Sequence, residues 1–149
     1  MGLRACAIAA AATLALTGCS HLVLLRDPLT ASEHNDLGVV YESTGQLPLA
    51  AREYRTSLRL EPHSARAWVN LGNLHAAAGR WRRAERAYRR GLRESPADPD
   101  AMNNLAIALL RQERKADESR TLAERAVATG GERDSLYRAT LAEVRHVGR

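Results

Sequence analysis

The chain has 149 residues, 26% charged and 45% hydrophobic, and its 22 lysines and arginines outnumber 17 aspartates and glutamates to give a formal charge of +5. That length holds one elongated domain and a short tether, and it excludes a second, catalytic domain. Aromatic residues make up 4% of the chain, too few for the stacking platforms that bind single-stranded nucleic acid.

At the N-terminus, Arg4 precedes an apolar run from Ala5 to Leu16. The run is shorter than the about twenty apolar residues that a membrane-spanning helix needs. A charged start, an apolar centre and a small-residue site, in that order, read as an export signal. The competing reading is an uncleaved anchor from Ala5 to Leu25, because Leu22 to Leu25 is apolar again after Ser20-His21. The tetrapeptide Leu16-Thr17-Gly18-Cys19 resembles the lipobox of bacterial lipoproteins. The resemblance implies cleavage before Cys19 and lipidation of its thiol, with residues 1–18 as signal peptide and 19–30 as lipidated terminus and tether. At about 0.8 kcal/mol per buried methylene, two or three acyl chains would hold the protein on a membrane almost permanently. Ser20 after Cys19 implies, on that family's sorting rule, the periplasmic face of an outer membrane. Cys6 would leave with the signal and Cys19 would carry lipid, so no disulfide is expected and packing alone must stabilise the fold.

Beyond the tether, Thr30 with Glu33 three residues later makes a capping box. Helices are expected near 31–44, 47–60, 65–78, 81–94, 99–112 and 116–128. Asp98-Pro99 places a cap before a proline in the first turn of the fifth. Gly45 and Gly79 stand where a left-handed residue stops a first helix, and Pro62 and Pro96 follow second helices that proline cannot continue. A seventh helix follows Gly130-Gly131, with Tyr137, Leu141 and Val144 on one apolar stripe. Leu37-Gly38, Leu71-Gly72 and Leu105-Ala106 recur every thirty-four residues, as do Ala50 and Ala84 or Tyr54 and Tyr88. Such a period marks stacked helical pairs whose apolar faces are covered only by neighbouring pairs.

Trp68, Leu71, Gly72, Ala84, Tyr88 and Pro96 closely resemble the tetratricopeptide repeat, and Leu37, Gly38, Tyr41, Ala50, Tyr54 and Pro62 repeat the likeness. His34 and His75 depart from it by occupying aromatic positions, where a packing role outweighs a ligand role. In the third unit Ser119, Ala123 and Ala126 fit the second helix once one residue is inserted near Glu113 to Lys115. The resemblance implies an all-α, right-handed solenoid of three units (31–64, 65–98 and 99–132) and a C-terminal capping helix at 133–149.

The resemblance also implies a concave groove along one stripe of the first helices. That stripe carries Asn35, Val69 and Asn103, then Val39, Asn73 and Ile107, then Glu42, Ala76 and Leu110, with Ser32, Arg66 and Asp100 at its edge. The amides of Asn35, Asn73 and Asn103 can donate and accept at once, as a peptide backbone requires. Val39, Val69, Ile107 and Leu110 would add apolar contacts, and Arg66 could hold a carboxylate. Alternatively, Asn70, Asn73 and Asn104 merely satisfy local groups, since such asparagines are common in these repeats.

The second helix of the middle unit is crowded with arginine, including Arg82, Arg83, Arg86 and Arg90. Such a stripe suits anionic lipid or an acidic partner, or is simply a solvated outer face, and export makes nucleic acid the least expected partner. No phosphate loop, metal-spaced cluster or nucleophile motif is recognisable, so neither catalysis, cofactor nor metal is expected. The combined features resemble small repeat lipoproteins of the bacterial cell envelope, of the pilus-assembly or hydrolase-adaptor type. They imply a non-enzymatic adaptor that binds a protein or peptide partner. Two rival readings are an accessory subunit of an exported peptidase and attachment through the basic face to anionic lipid or wall polymer.

Overall fold

A computed structural model describes residues 28–147. The expected signal peptide, Cys19 and most of the tether lie outside the described residues. Seven helices follow in order: α1 (Ala31–Ser43), α2 (Leu47–Leu60), α3 (Ala65–Ala77), α4 (Trp81–Glu94), α5 (Pro99–Leu110), α6 (Ala116–Thr129) and α7 (Asp134–Val147). Among the described residues there is no strand, so the all-α expectation holds. No helix among them is long and apolar enough to cross a membrane.

The caps are made by the residues the sequence points to. The Thr30 side chain accepts from the Glu33 amide at 3.3 Å while the Glu33 carboxylate accepts from the Thr30 amide at 2.7 Å. Asp98 accepts from the Ala101 amide at 3.0 Å, one residue ahead of Pro99. Gly45 and Gly79 have φ of +76° and +66°, the left-handed conformation that closes a helix at little cost only in glycine.

Consecutive helices pack as pairs, and α1, α3, α5 and α7 also touch in turn as an inner row. Small residues set the spacing within a pair. A Cβ on Gly38 would lie 2.5 Å from the Tyr54 ring, and one on Gly72 would lie 2.5 Å from the Tyr88 ring. Both tyrosines are buried, each inside one of two apolar clusters that continue across the seams between units. Leu71 and Leu105 are buried as expected, whereas Leu37, on the first of the described helices, is half-buried.

The third unit breaks the period at its loop. From Leu47 to Trp81 is thirty-four residues but from Trp81 to Ala116 is thirty-five, the one-residue insertion the sequence requires. Glu113, at the position of Gly45 and Gly79, takes φ of +52° and Lys115 takes +55°. α5 consequently ends at Leu110, two residues short of the expected boundary. Ala123 replaces the ring, and Ser119 Oγ donates to the Ala106 carbonyl at 2.8 Å. α7 closes the stack on α6 and α5 through Tyr137 and Val144, with Leu141 half-buried beside them.

Candidate functional site

The inner row presents the stripe expected to bind a partner, but its asparagines are largely consumed inside the fold. Asn35 is 2% exposed and Asn103 is fully buried. Val69 is buried too, although its edge reaches the groove. The expectation that Asn35 and Asn103 offer amides to a peptide is therefore corrected: both side chains are enclosed, Asn35 against Asn70 of the next inner helix, and Asn103 with its Nδ2 donating to Asn104 Oδ1 at 3.4 Å and its Oδ1 buried without a partner. Asn70 Nδ2 donates to Asn35 Oδ1 at 2.9 Å, and Asn104 Nδ2 donates to Asn73 Oδ1 at 3.0 Å. Tyr88 OH donates to the same Asn73 oxygen at 2.9 Å, so that carbonyl is saturated. These amides tie inner helices together, filling polar positions that would otherwise cost about 1–3 kcal/mol each.

What remains open is a cleft of about 360 Å³ between α3, α5 and the start of α7. It brings together Arg66, Val69 and Asn73 of the expected stripe with Asn70, Asp98, Asp100, Asn104 and Arg133. Val39 is exposed, and Ile107 and Leu110 are half-buried, but none of the three lines this cleft. Glu42 is engaged by Tyr54 OH at 2.6 Å. Arg66 already holds a carboxylate of its own chain: its Nη2 lies 2.8 Å from Asp36 Oδ1, with the two side chains 62% and 55% exposed. Arg133 Nη1 lies 3.3 Å from Asp100 Oδ1, which also accepts from Tyr137 OH at 2.8 Å. Burial and then this carboxylate push the Tyr137 hydroxyl up to about 12, so it stays a donor. Arg133 belongs to the site because α7 lies beside α5 as a fourth inner helix. Its sequence signal is Tyr137, which stands at the place of Trp68 and Met102 once the insertion is allowed for.

The arginines of α4 differ in what they touch. Arg89 is neutralised, with Nη1 and Nη2 bonded to Glu118 at 2.6 and 3.0 Å and Nε bonded to Glu85 at 3.1 Å. The Arg89 hydrogen bonds hold the Glu118 carboxyl below its usual range. Arg83, Arg86 and Arg90 instead line a separate cleft of about 390 Å³ with Arg55 of α2, Trp68, Leu71 and His75. The Arg90 guanidinium sits 5.1 Å from the centre of the Trp68 ring. Arg82 lies apart, beside Gly79, Trp81 and Gln112. No spacing in the sequence links Arg55 to these arginines, because it comes from a different unit.

Both unusual histidines pack inside. His34 Nδ1 is 2.7 Å from Glu53 Oε2. His75 is 7% exposed and its Nδ1 is buried with no hydrogen-bond partner. Burial, reinforced by Arg80, Arg55, Arg83 and Arg86, lowers its pKa to about 4, so the ring is neutral near pH 7.

The family model for the tetratricopeptide repeat matches residues 35–81 and 69–135. Similar solved structures include the first TPR of Spaghetti (RPAP3) bound to the HSP90 peptide SRMEEVD, with TM-score 0.74 and 15% identity over 80% of this chain and 94% of that one. The yeast Sti1 TPR2B domain in complex with pHsp70 has TM-score 0.72 and 16% identity, covering 78% and 96%. YrrB, described as a TPR protein with an unusual peptide-binding site, has TM-score 0.70 and 21% identity over 76% of this chain, which spans 58% of YrrB. At these identities the likeness is one of fold. No curated protein matches the chain in sequence.

Proposed function

Because this chain belongs to the tetratricopeptide repeat family, we propose that it is a non-catalytic adaptor that grips an acidic stretch of a partner protein in the cleft between α3, α5 and α7. The observation that carries this reading is the pair of arginines at the two sides of the cleft, Arg66 and Arg133, each held by a partly exposed aspartate of the same chain. Exposed ion pairs of this kind contribute about 0–1 kcal/mol. A partner's carboxylate can therefore replace Asp36 or Asp100 at little cost. Asn73 keeps its carbonyl for Tyr88 and Asn104, leaving Nδ2 as its contribution to a peptide carbonyl. The SRMEEVD peptide held by the similar Spaghetti domain is acidic, which supports the same choice of partner chemistry.

The finer part of the proposal concerns place. Cleavage before Cys19 and lipidation of its thiol would tether the repeats beside a membrane, at the periplasmic face of an outer membrane, where the adaptor serves cell-envelope assembly. Its support is the Leu16-Thr17-Gly18-Cys19 tetrapeptide behind a charged and apolar start.

A photo-crosslinker at position 95, which lines the cleft but joins neither ion pair, tests the first part in cells: it should capture one protein through an acidic segment, and Arg66→Glu or Arg133→Glu should abolish capture. Equal capture from position 82, remote from the cleft, overturns it. Labelling with a radioactive fatty acid tests the second, since label that persists in Cys19→Ala rejects the lipid anchor.

A further inference from the structure

Four guanidinium groups from two helices face one cleft, and among the described residues none of Arg55, Arg83, Arg86 and Arg90 has a carboxylate partner. The same helix α4 shows that this is selective, because Arg89 is bonded to two glutamates at its other side. The repulsion among unneutralised like charges is a standing cost to the fold unless an anion offsets it. His75 also lines the cleft, in a side chain nine-tenths enclosed whose Nδ1 is buried with no hydrogen-bond partner. Leaving such an atom unsatisfied costs about 1–3 kcal/mol. The Trp68 ring is fixed there by its Nε1, which donates to the Pro62 carbonyl at 2.9 Å, and it holds Arg90 against its face.

We propose that the cleft between α2, α3 and α4 binds a phosphate group, engaged by Arg55, Arg83 and Arg86, with Arg90 stacked on Trp68 and His75 beneath. A phosphate suits this set better than a carboxylate does. A carboxylate has two acceptor oxygens and one charge, which one or two arginines satisfy, whereas a phosphate has more oxygens and up to two charges for the planar forks to share. The volume of about 390 Å³ leaves room for the organic part of a phosphate ester. The site lies on the α2–α4 side of the stack and does not depend on the groove or its partner.

The test uses the full chain carrying Cys19→Ala, so that no lipid anchor contributes, with the Trp68 Nε1–H and His75 ring signals followed by NMR. Inorganic phosphate should move both signals saturably where chloride at equal ionic strength does not. Each of Arg55→Gln, Arg83→Gln and Arg86→Gln should weaken binding about tenfold, the scale of one lost charge-assisted hydrogen bond. Arg82→Gln and Arg93→Gln, on the same helix but outside the cleft, should leave it unchanged, and thermal melts of every variant separate lost binding from lost fold. If phosphatidylcholine vesicles containing phosphatidylglycerol move the signals with the same arginine dependence and free phosphate does not, the phosphate is that of a lipid headgroup. No response in either arm, or equal weakening by all five substitutions, overturns the site.

Discussion

Replacing Gly72 with alanine tests the packing rule on which the fold depends. A methyl group there would lie 2.5 Å from Cε1 and 2.6 Å from Cδ1 of Tyr88, well inside the about 3.5–4.0 Å at which carbon atoms attract. The ring is buried and anchored by its hydroxyl on Asn73, so it cannot swing aside without breaking that bond. Overpacking of this kind costs about 1–3 kcal/mol, and the lost hydrogen bond adds about 1 kcal/mol. Alanine returns about 1 kcal/mol through its better helix propensity. The net loss is about 1–3 kcal/mol, which a thermal melt followed by circular dichroism should show as a fall of about 4–12 °C. Adding Tyr88→Ala should make the two substitutions less than additive, since the third unit already combines Ala106 with Ala123. A Gly72→Ala protein as stable as the parent, or strict additivity in the double variant, would refute the reasoning.

The neutral His75 makes stability depend on acid. Its folded pKa of about 4 lies below the ordinary 6.5, so the unfolded chain takes up the proton first. Stability should be full above pH 6.5 and fall by up to roughly 3 kcal/mol toward pH 4; urea melts in acetate should show that extra slope and lose it in His75→Phe. Glu113→Gly should raise stability by about 0.5–1 kcal/mol, because the residue sits at φ +52° where the other units use glycine; an unchanged or lower urea midpoint contradicts this. Deleting residues 133–149 should lower the melting temperature and promote aggregation, since it takes Tyr137 out of the core and uncovers α5 and α6; an unaltered melt would show that α7 is no cap.

Most of the fold is legible because its signals are local or periodic. Thr30 and Glu33 sit within one turn, Gly45 and Gly79 mark their own φ, and the thirty-four-residue recurrence pairs Gly72 with Tyr88 without any geometry. Even the insertion is readable, because Ser119 falls out of register by one. The site is less legible. Spacing identifies the stripe holding Asn35, Asn73 and Asn103 but not how deeply the next inner helix covers it, and that depth decides between a peptide contact and an internal bond. Arg66 looked available because Asp36, thirty positions away, becomes its neighbour only when α1 and α3 lie side by side. Arg55 joins the basic cleft for the same reason: spacing groups the arginines of α4 on one helix, whereas the cleft is built across two units.

The division of polar groups follows from how such a stack must hold together. Each seam joins faces that carry helix-surface polar groups as well as apolar ones, and a buried amide needs a partner to avoid its desolvation penalty. Asn70 and Asn104 supply that partner to Asn35 and Asn73, and Tyr88 completes the set. Once those groups are committed, they cannot also discriminate between ligands without loosening the seam. In the proposed adaptor, recognition falls to residues whose present contacts are weak and solvent-exposed, the Arg66–Asp36 and Arg133–Asp100 pairs. Stability rests on the small-to-ring contacts and shared amides, which the proposed exchange of charges at the rim would leave intact.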